Sequence, residues 1–162
     1  VRNNTKALRQ ALIFEGSTRR MDKYELQRRT KQFHVDVIRL CADFPKNAAG
    51  YETAKQLIRA AGSVGSNYRA ACRAKSTADF IYKIEVVLEE TDESLYWLEV
   101  IKLSSLNNSP LLDSLINEAT ELVKIFNKTD MTAKQNNQHQ NKSKSLKSAV
   151  TKTGFPKNTI ND

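Results

Sequence analysis

Residues 56–98, QLIRAAGSVGSNYRAACRAKSTADFIYKIEVVLEETDESLYWL, decide the fold. In the first half of this stretch Leu57, Ala61, Val64, Tyr68 and Ala71 recur at alternating three- and four-residue steps, continuing a pattern that begins at Ala54. Phe80, Ile84, Val87, Thr91, Ser94, Leu98 and Ile101 do the same in the second half. That period lays one apolar seam along each of two helices, so the stretch is a helical hairpin. Its break is marked by Ser76 with Asp79 three residues later, a hydroxyl to cap the new helix and a carboxylate for its electropositive first turn.

Outward from the hairpin, Leu26, Thr30, Phe33, Val37, Leu40 and Phe44 form an unbroken seam for an earlier helix, which Pro45 stops by forcing the preceding residue out of the α region. The loop after it leads through Gly50 to the second helix, expected from about Glu52. The third helix is predicted to end between Leu103 and Leu106, followed by SSLNNSP, in which Ser109 caps and Pro110 takes the first helical position. Leu112, Leu115, Ala119, Leu122 and Phe126 then supply a fourth seam. Four helices with short connections make an all-α, up-down-up-down antiparallel four-helix bundle about 30 to 40 Å long at 1.5 Å per residue. The expected organisation is a mobile N-terminal extension over 1–22, the bundle over 23–127, and a basic tail over 128–162 too polar to order. Met21, just before the first strong pattern, is the expected neighbourhood of the natural start.

The net charge of +8 is unevenly placed. Residues 24–75 hold ten Lys/Arg against four Asp/Glu, whereas 76–126 hold three against ten, and both flanks are basic. A basic pair of helices beside an acidic pair suits self-association or the display of one basic face. The candidate phosphate-binding residues are Arg28, Arg29, Lys31 and Arg39 on the first helix, with Lys55, Arg59, Arg69, Arg73 and Lys75 on or just after the second; the alternative for Arg59 and Arg69 is pairing with acids of the third helix. Without a groove-reading motif or a run of RNA-stacking aromatics, such residues imply shape-led, sequence-tolerant contact with RNA or DNA.

Two further features need a cause. The middle of the second helix holds Gly62, Ser63, Gly65 and Ser66, and each glycine costs roughly 0.5–1 kcal/mol relative to alanine. Either the helices approach closely there, with Ser63, Asn67, Thr91, Glu93 and Ser94 forming an internal polar network, or the core is locally loose and wet. The third helix also carries Tyr82, Val86, Tyr96, Trp97 and Val100 outside its seam. These residues either form an oligomer interface or lie along the bundle's own edges.

Catalytic and metal chemistry find no foothold. A di-iron bundle needs Glu-x-x-His on two helices, but Lys31 stands three residues before His34, and His139 falls in the tail. GSVGS lies within a helix and lacks the Gly-Lys-Ser/Thr of a phosphate loop, and no nucleophile elbow occurs. Glu85, Glu89, Glu90, Asp92, Glu93 and Glu99 read as a solvated or ion-paired face, with Glu93 expected to be the most buried. Cys41 and Cys72 lack metal or redox spacing and read as buried free thiols. The expectation is a cytoplasmic non-enzyme with no cofactor and no metal, since no run of some eighteen apolar residues would cross a membrane.

Gln56, Leu57, Arg59, Ser63, Asn67, Ser76, Asp79, Phe80, Glu93 and Ser94, in this order, resemble the signature of the 23S rRNA intervening-sequence four-helix-bundle family. The resemblance covers about 24–126; many relatives have Glu-Gly after the Asn run, where this chain has Arg69, Ala70 and Ala71. It implies a bacterial bundle that assembles with itself, pentamers being favoured. It also implies an RNA-related role, and, through a related branch, a reverse transcriptase as a partner.

Overall fold

The computed structural model describes residues 22–152 of the chain; the expectations for residues 1–21 and for 153–162 lie outside the described residues. Four helices follow in order: α1 (Lys23–Ala42), α2 (Ala48–Ala71), α3 (Thr77–Leu103) and α4 (Pro110–Lys152). Each packs on its neighbour in sequence, and α1 closes the ring against α4, the sparsest of the four pairings. This is the antiparallel four-helix bundle that the seams require. Every seam residue from Leu26 to Phe44, from Leu57 to Ala71, from Phe80 to Ile101 and from Leu112 to Phe126 is buried. Tyr68 and Phe126 meet at its centre with ring centroids 5.4 Å apart.

The helix starts follow local chemistry. Asp22 accepts from the backbone N–H of Tyr24 and of Glu25, both at 2.8 Å, Asn47 accepts from Gly50 at 2.9 Å, and Ser76 accepts from Asp79 at 3.1 Å. Each satisfies a donor that the first helical turn leaves free. The Asp79 carboxylate accepts in return from the N–H of Lys75, the residue before the cap, at 3.0 Å. At the end of α3, Ser105 takes φ 56° and the Leu106 N–H reaches back to the Ile101 carbonyl at 3.1 Å, so a serine occupies the left-handed position where glycine is usual.

Two expectations are corrected. The fourth helix does not give way to a tail at Asn127: it continues to Lys152. A helix stopping at Phe126 would have 17 residues, about 25 Å, beside the roughly 40 Å of α3. The first turns of α3 would then stand bare. Thr129, Asp130 and Ala133 are buried instead, and Lys134 binds Glu85 of α3 and Asp130 of its own helix, each at 2.7 Å. These hydrogen bonds, Asp130's first, raise the Lys134 pKa to about 12. No glycine or proline interrupts residues 111–153, so polarity alone does not break the helix.

The mid-helix glycines face α1, not the polar seam residues of α3. A Cβ on Gly62 would stand 3.0 Å from Cε1 of His34, and one on Gly65 would stand 3.6 Å from the Thr30 carbonyl oxygen. Ala60 and Ala61 are buried beside them, and the most extensive pairing of α2 is with α3.

Opposite signs are expected for two glycine substitutions. Gly50→Ala would place a Cβ 2.0 Å from the Pro45 carbonyl oxygen, a backbone atom that cannot yield cheaply, and should destabilise the protein by about 2 kcal/mol or more. Gly65→Ala meets only ordinary contact distance and should stabilise by about 0.5–1 kcal/mol. Urea unfolding midpoints read both; equal shifts in the same direction would refute the packing described.

Candidate nucleic-acid interface

The bundle divides the nine candidate cations into two groups. Arg29 lies between α1 and α4 and grips Glu118 with two hydrogen bonds, Nε to Oε1 at 2.5 Å and Nη2 to Oε2 at 2.8 Å. The Glu118 hydrogen bond raises the guanidinium pKa above its ordinary value. Arg59 crosses from α2 to α3, 2.5 Å from Glu93 and 3.8 Å from Glu90. Arg39 pairs with Asp36 at 2.8 Å and Lys55 with Glu52 at 3.9 Å, each one turn away along its own helix. These four are already matched by acids.

Arg28, Lys31, Arg69, Arg73 and Lys75 are all exposed and take part in no ion pair among the described residues. Arg28, Lys31 and Arg69 line a groove of about 480 Å³ between α1 and α2. Arg73 and Lys75 continue the positive charge into the α2–α3 turn, where Asp79 and Lys83 share their recess. The Lys75 N–H, then the nearby Lys83 and Lys75 charges, hold the Asp79 pKa below the usual carboxylate range, so Asp79 is charged at neutral pH.

Ser63, Asn67, Thr91, Glu93 and Ser94 do not form one network across the helices. Asn67 donates to the Ser63 carbonyl at 3.0 Å and to its hydroxyl at 2.9 Å, within α2. Thr91 donates to the Val87 carbonyl at 2.6 Å and Ser94 to the Glu90 carbonyl at 2.7 Å, within α3. Buried hydroxyls on a helix can always satisfy themselves one turn back, which sequence spacing cannot distinguish from a cross-helix bond. Glu93 belongs instead to a surface chain, accepting from Arg59 and, at 3.3 Å, from the Trp97 indole N–H. Glu90 is the deeper of the two, its side chain 18 % exposed against 33 % for Glu93.

The α3 aromatics separate as well. Tyr82 and Tyr96 are 64 % and 57 % exposed, and Leu103, which shares their stripe, is 85 % exposed. Val86, Trp97 and Val100 are half-buried, Trp97 lying edge-on to Tyr96 with ring centroids 5.2 Å apart. Sequence reading missed Leu103 because it sits at the end of the helix, although its seven-residue step from Tyr96 is visible. Cys41 and Cys72 are free and half-buried rather than buried, and burial pushes the Cys41 thiol up to about 12. Among the described residues no three His, Cys, Asp or Glu side chains converge to hold a metal ion, and no helix is long and apolar enough to cross a membrane.

The helical bundle agrees with the comparisons. The family model described as 23S rRNA-intervening sequence protein matches residues 22–128, and the chain belongs to that family. Among solved structures it is similar to a Bacteroides thetaiotaomicron protein of unknown function from the S23 ribosomal protein family. The two are 29 % identical, with a TM-score of 0.60, over 65 % of this chain and 95 % of the other. A comparison with curated proteins finds no match.

Arg29 should behave as a structural residue. A double-mutant cycle with Arg29→Met and Glu118→Gln should give a coupling of about 1 kcal/mol in unfolding free energy, because the fork is bidentate and both partners are less than a third exposed. A coupling indistinguishable from zero would return Arg29 to the pool of available cations.

Proposed function

We propose that this protein is a non-enzymatic, oligomeric adaptor that binds nucleic acid, structured RNA or a ribonucleoprotein above all, through the face shared by α1 and α2. The observation that carries this reading is the set of five cations, three along that face and two in the adjoining α2–α3 turn, that take part in no ion pair among the described residues, beside helices whose acids are largely engaged with other cations. Phosphate contact needs fixed positive charge and little else. Membership in a family described by a ribosomal RNA insertion agrees with such a ligand. Self-assembly, with a pentamer favoured, would repeat the basic face around a ring and multiply its field. The exposed Tyr82, Tyr96 and Leu103 suit a subunit contact. A reverse transcriptase is a proposed protein partner, and a cytoplasmic setting is proposed with it.

The exposed α3 stripe also favours a second reading, a protein-interaction scaffold in which charge polarity serves only ring assembly. Salt separates the two. Binding of the full chain to RNA should weaken linearly on a log–log plot against salt, with a slope near −0.7 for each phosphate contact to a single strand. Arg69→Glu together with Arg73→Glu should weaken binding at least tenfold and shallow the slope by roughly 1.4, two contacts' worth. Absence of RNA and DNA binding at low salt would leave the scaffold.

Assembly has its own test. Light scattering should show a closed oligomer for the wild type, and Tyr96→Glu should dissociate it while leaving the helical content intact, since a charge in an apolar contact is heavily penalised. A wild-type monomer at high micromolar concentration would refute the assembly.

A further inference from the structure

We propose that the groove between α1 and α2 is a single-strand site, in which the phosphates of an unpaired RNA or DNA segment run between Arg28 and Lys31 on one lip and Arg69 on the other, with a base stacked on Tyr24. This rests on the nucleic-acid reading above and names the form of strand that the face takes.

The groove differs from the rest of the surface in three ways. First, no acidic side chain lines it. The smaller cleft between α1 and α4, about 320 Å³, is lined by Arg28 and Arg29 but also by Asp36 and Glu118, so its charge is cancelled. Second, its floor is backbone. Gly62 and Gly65 present no side chain, and the His34 ring lies so close over Gly62 that a Cβ there would stand 3.0 Å from the imidazole. His34 Nε2 is buried without a hydrogen-bond partner among the described residues, so a polar atom with unmet bonding capacity stands at the bottom of a basic trough. Third, an aromatic ring stands at one end. Tyr24 is 67 % exposed among the described residues, and Lys23 Nζ lies 4.9 Å from its ring centroid.

A trough of this shape selects by width. Helices packed about 8–10 Å apart, axis to axis, touch along a contact line, so the groove is the furrow above it, where a duplex is too wide to settle and its phosphates could touch only the lips. A single strand can lay its backbone along the trough and turn its bases outward. From Tyr24 to His34 the groove follows ten residues of α1, about 15 Å, enough for a short run of nucleotides. A positive channel with an aromatic platform is how sequence-tolerant single-strand binders work, and losing one stacking ring costs them roughly five- to a hundredfold in affinity.

The test compares a twelve-nucleotide oligouridylate with a twelve-base-pair RNA duplex by fluorescence anisotropy at low salt, using the full chain. The wild type should prefer the single strand. Tyr24→Ala should weaken the oligouridylate roughly five- to a hundredfold and the duplex little. Ser66→Phe, an exposed position on the α2 lip, should weaken it comparably by filling the trough without changing charge. Circular dichroism checks that both variants keep the helical fold. Wild-type binding with no preference for the single strand, or with both variants unaffected, overturns the groove assignment and leaves the adaptor reading standing. Failure of the wild type to bind either ligand overturns both.

Discussion

A bundle seam has room for about two side chains per helical turn and pair, and every other group on these helices must be settled outside it. This constraint explains more of the molecule than any single contact. The seam takes Leu, Ile, Val, Phe, Ala and a few hydroxyls that bond their own helix. Charged residues flanking it meet across the helix boundaries: Arg29 with Glu118, Arg59 with Glu93, Lys102 with Asp113, Lys134 with Glu85. Each of these pairs draws on an acid of α3 or α4. Those acids neutralise only the cations that their own boundaries reach, and none of them lines the α1–α2 groove that holds Arg28, Lys31 and Arg69. The basic face is thus a remainder left by the packing, and its position follows from the order of the helices.

The same constraint accounts for the α1–α2 groove. Where α2 meets α1, Gly62 and Gly65 remove side chains from the contact. The His34 ring fills part of the space made at Gly62. What remains is a trough bordered by Arg28, Lys31 and Arg69, which take part in no ion pair among the described residues. The α1 side of α2 thus carries both packing contacts, at Gly62 and Gly65, and the lip of the groove to which the proposed function assigns the ligand.

The seams were fully legible, because a period of three and four is a local property and each seam residue lies where its spacing puts it. Caps at Ser76 and Ser109 and the stop before Pro45 were legible for the same reason. What the sequence concealed was long-range. Arg59 pairs with an acid of α3, one of the two readings its position allows, but nothing near Arg29 in the chain reveals that Glu118 will neutralise it, while Arg28, one residue away, takes part in no ion pair among the described residues. The glycines of α2 were visible as a cost but not as a direction, since the period does not say which neighbour a non-seam residue faces. The continuation of α4 past Asn127 was hidden by composition. Its polar residues look unsuited to order until the bare first turns of α3 are in view.

The central claim is that cations of the α1–α2 side meet the ligand while those bound to α3 and α4 acids do not. Lysine acetylation of the full chain with and without saturating RNA, mapped by mass spectrometry, tests it at single residues. Lys31 and Lys75 should be strongly protected by RNA, whereas Lys102 and Lys124, held by Asp113 and Glu121, should react equally in both states. Uniform protection of all four, or protection confined to Lys102 and Lys124, would contradict the account.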